Sequence, residues 1–343
     1  MRICLVTGGS GFCGFEIVRF LVKKGEKVRV MDIDPLPDNS FYEKVEFVYG
    51  DILDKEKVSE ACSGVDRIIH TVAKVPISKA GKKFIEVNVE GTRNVLEAAL
   101  KNKVKKVVHL STSAVQFTGK NPVDENDEYN PVGPYAESKL KGELVCREYI
   151  RKGLDVDIIR PRTVLGPGRM GIFDIFFEWI SEGKNIYIIG NGNNKIQFLH
   201  SGDLASCCYL SLLKKGSHIF NIGSKNFLTL REDLQSLLDY AKTGSKIISL
   251  PTNFTINSLK ILDKMRLSPL APWHYLTFHK DFYFNNENAR KILGWKPKLG
   301  NKEALKVAYD SYVQMKKQGK KSYGTSHRKK LKQGFLKIVK TIS

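Results

Sequence analysis

Short apolar runs alternate with amphipathic stretches over the first 160 residues. Residues 3–7, 27–32, 45–49, 67–71, 106–111 and 156–160 are rich in Val and Ile and read as strands. Between them, 15–24, 55–61, 84–101 and 135–152 carry apolar residues at helical spacing. Strands alternating with helices imply right-handed βαβ units and an α/β fold with a doubly wound parallel sheet.

The regularity loosens after Arg160-Pro161. Gly166-Pro167-Gly168 and Asn191-Gly192-Asn193-Asn194 are turn clusters around an apolar helix at 172–181. A short strand at 198–200 leads into a helix at 203–213. A strand at 220–223 and a helix at 231–241 follow. The expected organisation is a nucleotide-binding domain over 1–165, with 198–223 returning to it. A smaller mixed substrate lobe takes 166–197 and 224–312, and a basic tail takes 313–343.

A hydrophobic share of 42% and a charged share of 27% exclude a disordered chain. No uncharged apolar run is long enough for a transmembrane helix, and the opening MRICLVT begins a strand rather than a secretory leader. Six scattered cysteines without a CxxC pair suit reduced thiols in the cytoplasm. The net charge of +20 is concentrated: ten Lys and Arg and no acid lie between Ser311 and Ser343. From Arg328, Leu331, Phe335, Ile338 and Ile342 fall on one helical face with Val339 beside it, and lysines occupy the others. Such a helix suits an anionic membrane surface, with docking on the protein's own body or a sister subunit as the alternative. Nucleic acid is the weaker partner, because the tail lacks interleaved aromatics.

The first strand runs into Thr7-Gly8-Gly9-Ser10-Gly11-Phe12-Cys13-Gly14 and then a helix. Glycines there permit a tight turn and close approach of a pyrophosphate to the helix N-terminus. Asp32 closes the second strand, where its carboxylate can bind a ribose diol and repel a 2′-phosphate, so the expected cofactor is NAD. Together these make the first domain Rossmann-type. Asp51 and Ile52, in Gly50-Asp51-Ile52, are candidates for the adenine; capping of the next helix is the plainer role for Asp51. Gly8, Gly11, Phe12, Cys13, Gly14 and Ala73 complete the expected dinucleotide contacts.

Tyr135 and Lys139 are four residues apart on one helix, so they share a face. An unperturbed phenol titrates near 10, too high for a base at neutrality; a nearby ammonium and a cationic nicotinamide would lower it. Tyrosinate could then take a proton from a substrate alcohol as hydride leaves. A serine hydroxyl after the fifth strand, in Ser111-Thr112-Ser113, would hold the same oxygen.

The strings TGGSGFCG, GDILD, NVEGTRNVLEAA, LSTSAV, YAESK and RPRTVLGPG, with the Asp after strand two, resemble the extended short-chain dehydrogenase/reductase superfamily, NAD-dependent epimerase/dehydratase group. The resemblance spans 1–310, through FLHSGDLA, FNIGS and NNENARKILGWKP. It implies Tyr135 as acid/base, Lys139 as its activator and a ribose ligand, and Ser113 as the substrate-orienting hydroxyl, with Thr112 instead if the register slips by one. Dehydratases of the group carry Asp-Glu after the catalytic hydroxyl, whereas Ala114-Val115 follow Ser113, which argues against dehydration. Nucleotide-sugar epimerases place Arg where Ile196 stands, and Arg162 or Lys195 could substitute. Both regions are more similar to the 3β-hydroxysteroid dehydrogenase-like and dihydroflavonol reductase-like branches.

The expectation is therefore an NAD-dependent enzyme, active as a homodimer, that oxidises or reduces a secondary alcohol or ketone on an apolar ring or lipid-like small molecule. The alternatives are a nucleotide-sugar 4-epimerase and, from another class, a non-catalytic NAD-binding regulator. His70 and His200 are read as structural, no metal is expected, and the aromatic stretch 273–284 is read as lobe core ahead of pocket wall.

Overall fold

The computed structural model describes residues 3–78, 80–169, 171–265, 267–319 and 334–341. The chain opens with β1 (Ile3–Thr7), α1 (Phe12–Lys23), β2 (Lys27–Asp32), β3 (Glu46–Tyr49), α2 (Lys55–Cys62) and β4 (Arg67–His70). It continues through α3 (Lys83–Ile85), α4 (Gly91–Lys101), β5 (Lys106–Leu110), α5 (Gly133–Arg151) and β6 (Val156–Pro161). A seven-stranded sheet forms in the order β3-β2-β1-β4-β5-β6-β10, with β10 at Ile219–Ile222, and every pairing is parallel. The order reverses between β1 and β4, and in such sheets ligands bind at the carboxyl ends of the strands beside that reversal.

Strand alternation decides which core each residue enters. Val6 and Val30 face a cluster with Val18 and Leu21 of α1 and Cys207 and Cys208 of α7 (Ser201–Leu213). Their neighbours Leu5 and Met31 face the opposite cluster, with Val58 of α2, Leu96 of α4 and Val145 of α5. The sheet is thus covered on both faces, which is why its strands are apolar on both sides. Cys4, Cys62, Cys146, Cys207 and Cys208 are buried as thiols within these layers.

Past β6 come β7 (Thr163–Leu165), α6 (Ile172–Ser181), β8 (Ile186–Ile189), β9 (Phe198–His200) and, after α7 and β10, α8 (Leu230–Ala241) and β11 (Ile247–Leu250). The two-stranded parallel pairs β7–β9 and β8–β11 lie outside the main sheet. They are followed by α9 (Thr252–Lys264), α10 (Pro272–Thr277), α11 (Glu287–Leu293) and α12 (Asn301–Lys317). A third core joins Phe173 and Phe177 of α6 to Leu234 of α8 and to Leu305 and Tyr309 of α12.

Several elements differ from the sequence reading. β7, β8 and β11 have three or four residues each, too short for a periodicity to register. Helix α12 continues to Lys317, into the stretch read as tail, because Ala308, Tyr309 and Tyr312 bury its apolar face. Ala289 of α11 and the following Trp295 pack in the core of α1 and α7 rather than in the third core, and Trp295 Nε1 donates to the Asp203 carbonyl at 3.1 Å. The helix expected over 84–101 is split by a π turn at Glu86–Glu90. That turn holds Asn88, whose amide clamps both backbone groups of Lys74, accepting at 2.7 Å and donating at 3.1 Å.

The last described element is α13 (Leu336–Thr341), which begins after Gly334 at positive φ. Gly334 sits against the Leu267 carbonyl, where a Cβ would come within 2.6 Å. Lys340 pairs with Glu178 of α6 and, at 2.8 Å, with Glu182. Phe335, Leu336 and Val339 line a cavity of about 570 Å³ with Trp179, Leu259 and Tyr275. The described part of the tail therefore docks on the chain's own body. The expected helix residues 328–333 and Ile342 lie outside the described residues.

Candidate active site

A cleft of about 430 Å³ opens at the carboxyl ends of β1, β2, β4, β5 and β6. Every residue expected to contact the dinucleotide lines it: Gly8, Gly11, Phe12, Cys13, Gly14, Asp32, Asp51, Ile52, Ala73, Tyr135 and Lys139.

The glycine loop is tight for stated reasons. Gly8 adopts φ 77°, and its N–H donates to the Met31 carbonyl at 2.8 Å. A Cβ on Gly14 would lie 2.0 Å from the Gly8 carbonyl oxygen, so no side chain fits there. The loop thus leaves its backbone and the α1 N-terminus bare toward the cleft, a cradle suited to a pyrophosphate. Asp32 anchors the other end. Its carboxylate accepts from the N–H of Ser10 at 2.9 Å and of Asp34 at 3.0 Å, while burial pushes its pKa up against those bonds. Asp34 also lines the cleft, a second acid at the ribose position that pattern alone did not single out.

Asp51 accepts from the Leu53 N–H at 3.0 Å, whereas the cap of α2 is Asp54, bonded to the N–H groups of Glu56 and Lys57. Asp51 is therefore a turn residue on the cleft rather than the helix cap. Ile52 is buried, and Gly91 leaves room for it: a Cβ there would come within 2.7 Å of Ile52 Cγ2. These groups fit an NAD molecule, which the glycine loop, Asp32, Ile52, Tyr135 and Lys139 would hold.

The reacting end departs from the expected register. Thr112 and Tyr135 both line the cleft, and the Thr112 side chain lowers the phenol's pKa against its burial. Ser113 lies one residue further into a 3₁₀ turn, 3% exposed, where its Oγ accepts from Arg162 Nη1 at 3.0 Å. Thr112 lines the cleft and Ser113 does not, so Thr112, the alternative if the register slips by one, is the hydroxyl on the cleft side. The pair after Thr112 is then Ser113-Ala114, still without an acid.

Lys139 is 1% exposed. Its Nζ donates to the Leu110 carbonyl at 2.7 Å and lies 3.4 Å from His109 Nε2. Burial draws its pKa down to about 8. Burial pushes the Tyr135 phenol up to about 12, against the Thr112 side chain and the positive charge of Arg169. Arg169 is a cleft cation that lowers the phenol's pKa, and the Lys139 ammonium is engaged at Leu110.

His70 is a satisfied core residue. Nδ1 lies 2.7 Å from Thr7 Oγ1 and Nε2 3.1 Å from Thr92 Oγ1, and burial brings its pKa down to about 3. His200 caps α7, its Nδ1 accepting from the Gly202 N–H at 3.1 Å. No His, Cys, Asp and Glu cluster suited to a metal occurs among the described residues. The aromatic stretch divides. Phe282 and Phe284 form a small core with Phe117, whereas Trp273 lines a pocket of about 260 Å³ that also touches Tyr135. Besides Thr112 and Asp34, pattern reading left Arg162 as a substitute and passed over Arg169; their signal, two arginines around a Gly-Pro-Gly turn, has no periodicity to mark it.

Comparison with known proteins agrees with this geometry. An uncharacterized protein, y4nG, of Sinorhizobium fredii is 40% identical over 341 residues, covering 99% of this chain and 86% of that one. The mouse sterol-4-alpha-carboxylate 3-dehydrogenase, decarboxylating, is 27% identical over 339 residues, covering 92% of each. The solved UDP-glucose 4-epimerase of Thermotoga maritima superposes with a TM-score of 0.77 at 22% identity, covering 92% of this chain and 99% of that one. The model of the NAD dependent epimerase/dehydratase family matches residues 4–223, the span that holds the glycine loop, Thr112, Tyr135 and Lys139, and the chain belongs to that family of NAD-dependent enzymes.

Proposed function

We propose that this chain is an NAD-dependent oxidoreductase that transfers hydride between NAD and a secondary alcohol or ketone borne on a ring. The observation that carries the reading is the convergence of Thr112, Tyr135 and Lys139 on the cleft that the glycine loop and Asp32 share. In the oxidising direction, Tyr135 takes the hydroxyl proton and Thr112 bonds the same substrate oxygen, so charge on that oxygen never builds up unsupported. Bound NAD supplies the hydride acceptor and a positive ring. With that charge nearby, Tyr135 would ionise more readily than its burial alone allows. Lys139 anchors the helix end of the site through Leu110 and would hold the ribose.

The absence of an acid after Thr112 argues against dehydration. Ile196, 2% exposed, offers no charge to a nucleotide diphosphate. The second point favours net oxidation or reduction over nucleotide-sugar epimerisation. The substrate is proposed to enter between the nucleotide-binding half and the lobe of 166–197 and 224–312, with Trp273 beside Tyr135. The test is anaerobic incubation with NAD across hydroxylated sterols, isoprenoids and nucleotide sugars, reading NADH. Stoichiometric NADH with a ring alcohol supports the proposal. Sugar epimerisation without net NADH would replace it with the epimerase reading.

A further inference from the structure

Buried guanidinium groups elsewhere in this chain meet acids. Arg160, fully buried, pairs with Glu143 at 2.7 Å, and Arg67 pairs with Glu26. Arg162 and Arg169 do not. They are 3% and 8% exposed, both line the cleft, and among the described residues no carboxylate lies within ion-pair distance of either. Arg162 stacks 3.8 Å from the Phe282 ring centroid. Its Nε donates to the Gln197 carbonyl at 3.2 Å and its Nη1 to Ser113 at 3.0 Å; Nη2 makes no hydrogen bond among the described residues. Arg169 lies near the rings of Phe12 and Phe173, at 5.2 and 5.6 Å, and its buried Nε has no hydrogen-bond partner among the described residues.

An unpaired charge held out of water is unfavourable, and burial alone draws the Arg162 pKa down to about 9. Two such charges in one cleft, each held by aromatic rings rather than by an acid, form a site whose counter-charge must come from a ligand. The planar fork of arginine matches the oxygens of carboxylates and phosphates. Their placement fixes where that ligand group sits: Arg162 is bonded to the residue after Thr112, and Arg169 lines the same cleft as Tyr135.

We infer that Arg162 and Arg169 form an oxyanion-recognising subsite for the substrate, taking a carboxylate or phosphate substituent on the ring whose alcohol reaches Tyr135. This rests on the oxidoreductase reading above. A neutral analogue would leave both guanidinium groups buried and unpaired, so the site discriminates against it. The diphosphate of NAD has the same chemistry, and the test separates the two sources.

The full chain is titrated with NAD by tryptophan fluorescence. The NAD-saturated protein is then titrated calorimetrically with trans-2-hydroxycyclohexanecarboxylate, cyclohexyl phosphate and cyclohexanol. The series is repeated with Arg162→Gln and Arg169→Gln, and with Arg162→Lys and Arg169→Lys, which retain the charge if the Gln forms fold poorly. At least one anionic probe should bind the wild type about tenfold or more tighter than cyclohexanol. The preference should vanish in the Gln variants and persist in part in the Lys variants, with NAD affinity little changed. Equal binding of anionic and neutral probes by the wild type overturns the inference. So does a tenfold loss of NAD affinity in both Gln variants with the anion preference intact, which assigns the guanidinium groups to the cofactor. None of these titrations requires turnover, so anion binding without NADH from any alcohol would sink the oxidoreductase reading and leave the subsite standing.

Discussion

Arg162 donates from Nη1 to the Ser113 hydroxyl at 3.0 Å, while the neighbouring Thr112 lines the cleft with Tyr135. Two adjacent hydroxyls thus have separate duties, one toward a cleft arginine and one toward the cleft itself. Thr112→Val should lower kcat about 100-fold, the scale of losing a hydrogen bond to the reacting oxygen. Ser113→Ala should act chiefly on KM for an anionic substrate, by loosening Arg162. Steady-state NADH formation with both variants decides it; a larger kcat loss in Ser113→Ala would restore the register expected from sequence.

Tyr135→Phe should abolish turnover while leaving NAD affinity nearly unchanged, because the phenol oxygen acts on substrate. Activity above a few per cent of wild type in the Phe variant would remove Tyr135 from the acid/base role.

Lys139 carries a pH dependence of definite sign. Its folded pKa, about 8, lies below that of a free lysine, so between the two values the unfolded chain holds a proton that the folded chain has released. Wild-type stability therefore gains from this residue as pH rises through that window, and the penalty is complete below it. Melting curves of wild type and Lys139→Met at about pH 7 and about pH 9.5 should show the wild type gaining on the variant at the higher pH. A difference that stays constant would mean that Lys139 is not buried as a cation.

Asp32→Ala should weaken NAD and narrow its preference over NADP. The change removes a carboxylate from the ribose position and two acceptor bonds that hold the loop to Ser10 and Asp34. Because Asp34 stays in the cleft, the double change Asp32→Ala/Asp34→Ala should relax the preference further. Fluorescence titration of both cofactors measures this. A wild type that prefers NADP would contradict the role given to Asp32.

A chain ending at Gly319 lacks the helix that covers the apolar cavity and the Lys340 pairs with Glu178 and Glu182. It should melt several degrees lower and bind more of a hydrophobic dye. Co-sedimentation with anionic liposomes then asks what else the tail does. If docking is its whole role, the full chain gains no affinity over the truncated one. Partitioning of the full chain alone would assign the tail to a membrane surface.

The local signals were strongest where one physical requirement acts on consecutive residues. Strands β1, β2, β4, β5 and β6 are buried on both faces, so Val and Ile runs mark them within a residue or two. The glycine loop is legible for a similar reason: Gly14 has no room for a Cβ, and Asp32 must close the strand beside it. Tyr135 and Lys139 follow from helical spacing. His70 was readable as structural, and its two threonine partners bear this out.

The rest depended on residues distant in the chain. Whether Thr112 or Ser113 lines the cleft turns on a 3₁₀ turn of three residues and on Arg162, 49 positions from Ser113. Arg162 and Arg169 become noteworthy only once burial shows them without acids, because an arginine's partner is written nowhere near it in sequence. The tail pattern suited a membrane surface first and a protein face as the alternative, since both reward the same amphipathic stripe. Only the placement of Glu178, Glu182 and Leu267 around α13 put its described residues on the body of the protein. By itself the sequence determined the layers, the strand order's raw material and the cofactor loop, because periodicity and backbone sterics act locally. Tertiary structure decided which hydroxyl, which cations and which surface the tail meets, because those choices are made by contacts between segments that periodicity does not link.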